Sequence, residues 1–241
     1  MSGGTMDVRR GADRGLGASP GIVTRHSFSF GHHHEPGNTH HGLLLAHNED
    51  RIAPGAGYDE HPHRDTEIVT WVLTGTLEHT DDAGRTARVT PGTVQRLSAG
   101  RGVVHTERNA GDDELHLVQM WLVPDVPGTE PSYARHDVGP DLADGSLVAV
   151  AGGAGPVGLG TAAVFHVARP RAGTRVELPA ARRLHVFVAR GEAVVGDLTL
   201  HPGDAVRAAD TTPTPLTATT DAEILVWEMH EDLVPDEGER P

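Results

Sequence analysis

The stretch His61-Pro62-His63-Arg64-Asp65-Thr66-Glu67-Ile68-Val69-Thr70-Trp71-Val72-Leu73-Thr74-Gly75-Thr76-Leu77-Glu78-His79 decides the fold. A β-branched and apolar run from Glu67 to Leu73 stops at Gly75. A second short run through Leu77 and His79 then reaches the turn Asp82-Ala83-Gly84, the pattern of a β-hairpin. Downstream come a strand to Val89, the turn Pro91-Gly92, a strand from Thr93 to Ala99 and the turn Gly100-Arg101-Gly102. Strands from Val103 to Asn109 and from Leu115 to Val123 follow. Short strands at such regular spacing predict an all-β chain built on antiparallel barrels, with few short helices.

Two pairs within these strands carry chemistry. Residues i and i+2 of a strand face the same side, so His61 and His63 share a face, as do His105 and Glu107. Facing one another across a barrel, the pairs would assemble three imidazoles and one carboxylate. That set suits one divalent first-row metal with room left for water or substrate. Chance sets a background: with 17 His in 241 residues, on the order of one His-x-His arises at random. His32 and His34 form such a second pair, but with His33, His40 and His41 they lie among Gly31, Glu35, Pro36, Gly37 and Asn38. That composition reads as a solvated loop or the rim of the barrel mouth. The strand context therefore selects His61, His63, His105 and Glu107 as the metal ligands, in a pocket lined by Val69, Trp71, Leu73 and Val103.

The pattern recurs later in the chain. Leu184 to Gly191, Glu192 to Val195, the turn Gly196-Asp197, Leu198 to Leu200 and His201-Pro202-Gly203-Asp204 repeat the logic of Thr70 to Pro91-Gly92, which implies a duplicated barrel. An ungapped count places Glu177 and Pro179 where the first copy has His61 and His63, and Leu216 and Ala218 where it has His105 and Glu107. The second copy is thus expected to hold no metal; His166, His185, His201 and His230 are single histidines. The expected organisation is a flexible N-terminus (1–16), a metal-binding domain (17–125), a linker with surface elements (126–160), a degenerate second barrel (161–230) and an acidic tail (231–241).

Composition bounds the rest. Thirty Gly and 17 Pro beside nine Phe, Tyr and Trp favour turns over long helices. There is no cysteine, which excludes disulfides and thiolate ligands, and no lysine, which excludes Schiff-base chemistry. The formal net charge of −14 argues against direct binding of nucleic acid. The lack of a long apolar run or signal-like N-terminus leads to the expectation of a cytoplasmic protein without a membrane span.

The segments His61 to His79 and Pro91-Gly92-Thr93-Val94-Gln95-Arg96-Leu97-Ser98-Ala99-Gly100-Arg101-Gly102-Val103-Val104-His105-Thr106-Glu107-Arg108-Asn109 resemble the pirin family of the cupin superfamily. His26 to Gly31 and Asn48 to Gly57 are similar to the family's opening strands, and the likeness is close over residues 20–125. The resemblance implies a bicupin of two tandem double-stranded β-helix barrels, with the ligands again on His61, His63, His105 and Glu107. Glu67 and Asn109 would stand just behind the ligands and orient them. It also implies a quercetin 2,3-dioxygenase-type oxidoreductase that opens a flavonol ring with O2 and releases carbon monoxide, with Glu107 as proton acceptor. Iron(II) is the expected metal, with copper, nickel, cobalt, manganese and zinc as alternatives. Two other readings remain open: a metal- or redox-sensing regulator acting through a protein partner, and a non-redox cupin enzyme.

Overall fold

The computed structural model describes residues 6–233. Its strands begin with β1 (Met6–Arg9), β2 (Gly15–Ser19), β3 (Ile22–His26), β4 (Leu44–Ile52), β5 (Gly57–His63), β6 (Glu67–Thr74) and β7 (Leu77–Asp81). They continue with β8 (Thr86–Val89), β9 (Thr93–Ser98), β10 (Val103–Asn109), β11 (Leu115–Leu122), β12 (Ser132–Asp137), β13 (Val148–Ala151) and β14 (Ala163–Ala168). The last are β15 (Arg175–Leu178), β16 (Arg183–Arg190), β17 (Ala193–Val195), β18 (Leu198–Leu200), β19 (Ala205–Ala209), β20 (Thr214–Ala218) and β21 (Glu223–Met229). Among the described residues the helical elements are two short 3-10 turns, Gly11–Asp13 and Gly139–Leu142, and no helix is long and apolar enough to cross a membrane.

The strands form two copies of one arrangement. In the first, a seven-stranded sheet ordered β12-β9-β6-β11-β4-β3-β2 stacks on a four-stranded sheet β5-β10-β7-β8. In the second, a six-stranded sheet β1-β19-β16-β21-β14-β13 stacks on β15-β20-β17-β18. Equivalent strands occupy equivalent places, so the fold is the expected all-β bicupin. The edge position of each large sheet is filled from outside its own run: β12 leaves the first domain's last strand and returns to pair with β9, and β1 crosses to pair with β19.

This corrects the expected flexible N-terminus. Met6 to Arg9 is a strand with Val8 opposite Val206, and Gly15 to Ser19 pairs with β3. A strand of four residues is too short for its alternation to announce itself. The segment 126–160 is likewise divided, its β12 in the first sheet and its β13 in the second. Of the acidic tail, residues 234–241 lie outside the described residues.

The largest apolar cluster lies between the domains. Val69, Trp71, Leu73, Val118, Met120 and Leu122 from the first large sheet, with Phe28 from the segment after β3, pack against Phe165, Val167, Phe187, Leu225, Trp227 and Met229 from the second. Trp71 stands edge-on to Phe165, whose ring stacks on Trp227 with centroids 4.8 Å apart. The Trp71 indole nitrogen donates to Glu223 Oε1 at 2.8 Å, and that carboxylate also receives Arg169. Strand β6 is buried on both faces, which is why its sequence is a continuous apolar run rather than an alternating one.

The second domain is apolar inside, where Leu178, Leu184, Val186, Val195, Leu200, Leu216, Ile224 and Val226 pack together. The first has only two small apolar groups, Ile22, Ile52, Val72, Leu77, Val89, Leu115 and Leu117 at one end and Ile68, Leu97, Ala99 and Val103 at the other. Trp71→Ala would open a cavity at the domain interface and leave Glu223 and Arg169 without their indole donor and ring. It is expected to cost about 3–5 kcal/mol, read as an earlier denaturation midpoint; an unchanged midpoint would show that the interface contributes little.

Candidate metal centre

The site is assembled by the register of the small sheet. His61 on β5 lies directly opposite His105 on β10, and His63 lies opposite Val103. The two ligand-bearing strands are therefore neighbours in one sheet; the expectation that they face each other across the barrel is corrected. Between His105 and Glu107 the pairing slips, because three steps along β5 from Tyr58 to His61 answer two on β10. This bulge re-aims the side chains at the end of β5. A Cβ on Gly57 would overlap the Glu107 carbonyl, so glycine is what lets β5 close onto β10 here.

One ligand atom each from His61, His63 and His105 lie within 4.8 Å of one another, and His79, His105 and Glu107 form a second group of the same kind. The spare valences mark where a cation belongs. His63 Nε2, His105 Nε2 and Glu107 Oε1 are all buried and lack any hydrogen-bond partner. His61 Nδ1 donates to the Asp59 carbonyl at 2.7 Å, which fixes the tautomer that leaves Nε2 free. A buried polar atom without a partner is costly, and three such atoms, with His61 Nε2 beside them, make a donor set of three imidazoles and a carboxylate that fits a divalent metal.

What holds these donors was only partly foreseen. His105 Nδ1 lies 3.2 Å from His79 Nδ1, and His79 Nε2 lies 3.5 Å from Asp81 Oδ2, which is paired with Arg85. With His105 donating from Nδ1 and His79 from Nε2, this chain turns the His105 Nε2 lone pair into the site. His79 shares its face of β7 with Leu77 and Asp81; a single histidine at strand period gave no pair to notice. Glu107 Oε2 accepts from Gln119 Nε2 at 2.7 Å, and Gln119 Oε1 in turn accepts from Trp121 Nε1 at 3.1 Å.

Other expected site residues lie elsewhere. Val69, Trp71 and Leu73 belong to the interdomain core, because β6 presents its odd-numbered positions to the second domain and Ile68, Thr70 and Val72 to the barrel interior. Glu67 shares that outward face. It accepts from Ser98 Oγ and from the Gly160 amide, and so ties the interdomain segment to β6 rather than orienting a ligand. Asn109 donates to the Ile52 and Asp113 carbonyls and accepts from the Gly111 amide, shaping the loop after β10. Val103 packs with Ile68, Leu97 and Ala99 against Trp121 and Tyr133, behind the pocket wall.

The pocket in front of the donors measures about 580 Å3 and is lined by His61, His63, Glu107, Gln119, Trp121, Asp50 and Tyr58. Its mouth is rimmed by Leu16, Phe30, His32 and His33, so the histidine-rich loop does form part of the entrance. Trp121 stands edge-on to both His63 (4.9 Å) and Phe30 (5.1 Å), giving an aromatic wall from mouth to donors.

In the second domain the equivalent positions are apolar. Ala218 and Leu216 pair with Ala193 and Val195, as Glu107 and His105 pair with His79 and Asp81. Leu216 also pairs with Val176, as His105 does with His61. Val176 and Leu178 thus stand for His61 and His63, one residue from the ungapped count, which takes no account of the differing strand lengths.

Burial holds His63 and His105 neutral and ready to bind. His63 is pushed down to about 4 by burial and by His61, and His105 to about 2 by burial and its three histidine neighbours. Burial lifts Glu107 to about 7, with the Asp50 charge adding to it and the Gln119 amide opposing. Below pH 7 the metal-free site therefore carries a protonated Glu107, which must ionise to ligate. Metal affinity is expected to fall toward tenfold per pH unit below about 7 and to level off above it. The slope, measured by chelator competition, should disappear in Glu107→Gln; a slope that persists there would assign it to another group. In the same assay, His79→Ala is expected to weaken metal binding about 10–100-fold, and an unchanged affinity would deny His79 its orienting part.

Residues 9–122 match the family model described as Pirin, and residues 147–229 match that described as Quercetinase C-terminal cupin domain. A Mycobacterium tuberculosis relative, provisionally named a quercetin 2,3-dioxygenase, is 45% identical over 236 residues, covering 95% of this chain and 97% of its own. An Escherichia coli quercetin 2,3-dioxygenase is 30% identical over 234 residues, covering 92% and 97%. The crystal structure of an Escherichia coli bacterial pirin in complex with nickel(II) superposes with a TM-score of 0.88 at 27% identity, covering 94% of this chain and all of that one. Matched along nearly its whole length in sequence and in fold, the chain belongs to the pirin family, a pirin domain followed by a quercetinase-type cupin domain.

Proposed function

We propose that the protein is a metal-dependent dioxygenase that opens the ring of quercetin-like flavonols. The observation that carries this reading is the close grouping of His61, His63 and His105 at an aromatic-walled pocket, with His63 Nε2, His105 Nε2 and Glu107 Oε1 buried and unpartnered. The relatives named as quercetin 2,3-dioxygenases support the substrate class.

His61, His63, His105 and Glu107 would hold the metal, with iron(II) first among the candidates. When bound, such a metal supplies a Lewis-acidic, redox-capable centre that acidifies a phenolic hydroxyl and supports reaction with O2. The chain's own residues do the rest. Trp121 and Phe30 offer flat faces and edges to a planar polyphenol and exclude water along one side of it. Gln119 fixes Glu107 so that one oxygen is turned to the histidines. Glu107 was expected to serve as proton acceptor. With Oε2 held by Gln119, its unpartnered Oε1 is the oxygen that would serve as ligand or take the proton.

The test is to load the metal-stripped protein with iron(II) without oxygen, add quercetin, then admit oxygen. Loss of flavonol absorbance with stoichiometric carbon monoxide is expected, and His105→Ala should abolish both. No turnover with iron, copper, nickel, cobalt or manganese would overturn the reading in favour of a regulatory or non-redox role.

A further inference from the structure

One carboxylate in the pocket takes no part in holding the ligands. Asp50 is 3% exposed, and its Oδ1 is buried without a hydrogen-bond partner. It lines the same pocket as His61, His63 and Glu107. Strand β4 puts it there: Asn48 and Asp50 are successive inward positions, opposite Gln119 and Leu117 of β11 and opposite His26 and Thr24 of β3. The wall bearing Asp50 thus belongs to the large sheet, whereas the histidines and Glu107 belong to the small one.

Its surroundings are few. The hydroxyls of Thr24 and Tyr58 approach the carboxyl; Arg14, Glu49 and Glu107 act on it at longer range. His26, on the neighbouring strand, is engaged with Asn48. Burial pushes the Asp50 carboxyl up to about 6 although both hydroxyls and Arg14 favour its charge. A buried carboxylate with an idle oxygen is costly unless a donor meets it. The two hydroxyls are the nearby protein donors, they also bond to each other, and Oδ1 is left without a partner, a place that a ligand's hydroxyl would fill.

We propose that Asp50 is the proton acceptor for a hydroxyl of the aromatic substrate, on the wall opposite the metal ligands. In that step the substrate O–H bond breaks, its electron pair stays on the phenolate oxygen, and the proton moves to Asp50 Oδ1, giving a carboxylic acid. The site then selects aromatics carrying a hydroxyl on the side that meets β4, besides the one directed to the ligand cluster. This rests on the dioxygenase reading of the pocket.

The probe is 4-nitrocatechol, whose monoanion and dianion absorb at different wavelengths, titrated with pH on the metal-loaded protein without oxygen. With the protons released to a weakly buffered medium measured beside the spectrum, at a pH where Asp50 is ionised, the parent is expected to form the bound dianion with about one proton fewer released per dianion than Asp50→Asn, because the second proton stays on Asp50; metal content must be equal in the two. Tyr58→Phe removes a hydroxyl that stabilises the Asp50 charge, so it should retain the proton at least as fully as the parent, unlike Asp50→Asn. Equal proton release per dianion in parent and Asp50→Asn would overturn the acceptor role and leave the dioxygenase reading standing. A parent protein that leaves the probe's spectrum unperturbed would overturn both. Should Asp50→Asn fail to take up metal, greater proton release by Tyr58→Phe than by the parent would by itself contradict the proposal.

Discussion

Contact between the two large sheets is the constraint on which the rest of the molecule depends. A domain whose interior holds His79, His105, Glu107, Gln95, Gln119 and Thr70, all buried, forgoes much of the apolar packing that stabilises a barrel of this size. Its compensation lies on the outer face, where Val69, Trp71, Leu73, Val118, Met120 and Leu122 meet the apolar sheet of the second domain. The duplicated domain keeps an apolar interior in place of ligands, with Leu216 and Ala218 where the first has His105 and Glu107. One copy carries chemistry and the other supplies the surface that makes a polar interior affordable.

Inside the first domain the arrangement follows from desolvation. His63 and His105, close together in a dry interior, stay neutral, which is the form that donates a lone pair, and a carboxyl in the same place holds its proton until something cationic replaces it. The His79-Asp81-Arg85 chain and the Gln119-Trp121 chain then fix ring and carboxylate orientation from two different strands. Orientation comes from the small sheet behind the ligands and from the large sheet in front of them, so both walls of the barrel contribute.

Strand positions and the ligand pairs were legible because they depend on period alone. Turns at Gly75, Asp82-Ala83-Gly84, Pro91-Gly92 and Gly100-Arg101-Gly102 set the register, and His61, His63, His105 and Glu107 sit at strand spacing. Which face of β6 points inward was not legible. Ile68 to Leu73 is apolar on both sides because both sides are covered, and the lone polar Thr70 was the one clue to the interior face. Glu67, Asn109, Val69, Trp71 and Leu73 were misplaced for that reason or because a buried polar side chain was credited to the ligands rather than to backbone groups of loops. His79, Gln119 and Asp50 went unnoticed, since their positions near the ligands follow from pairing between strands far apart in the chain.

The strand exchange at the start of the chain has a bearing on how the molecule comes into being. β1 is made well before its partner β19, which begins at Ala205, so its hydrogen bonds wait until the strands of both domains up to that point have been synthesised. The first domain's inner strands can pair earlier, whereas its apolar outer sheet stays uncovered until β14, β16 and β21 arrive. Closing so long a loop is entropically expensive and slow. The assembled bicupin is consequently tied across its two domains, and the growing chain carries an exposed apolar sheet until the second domain's strands arrive.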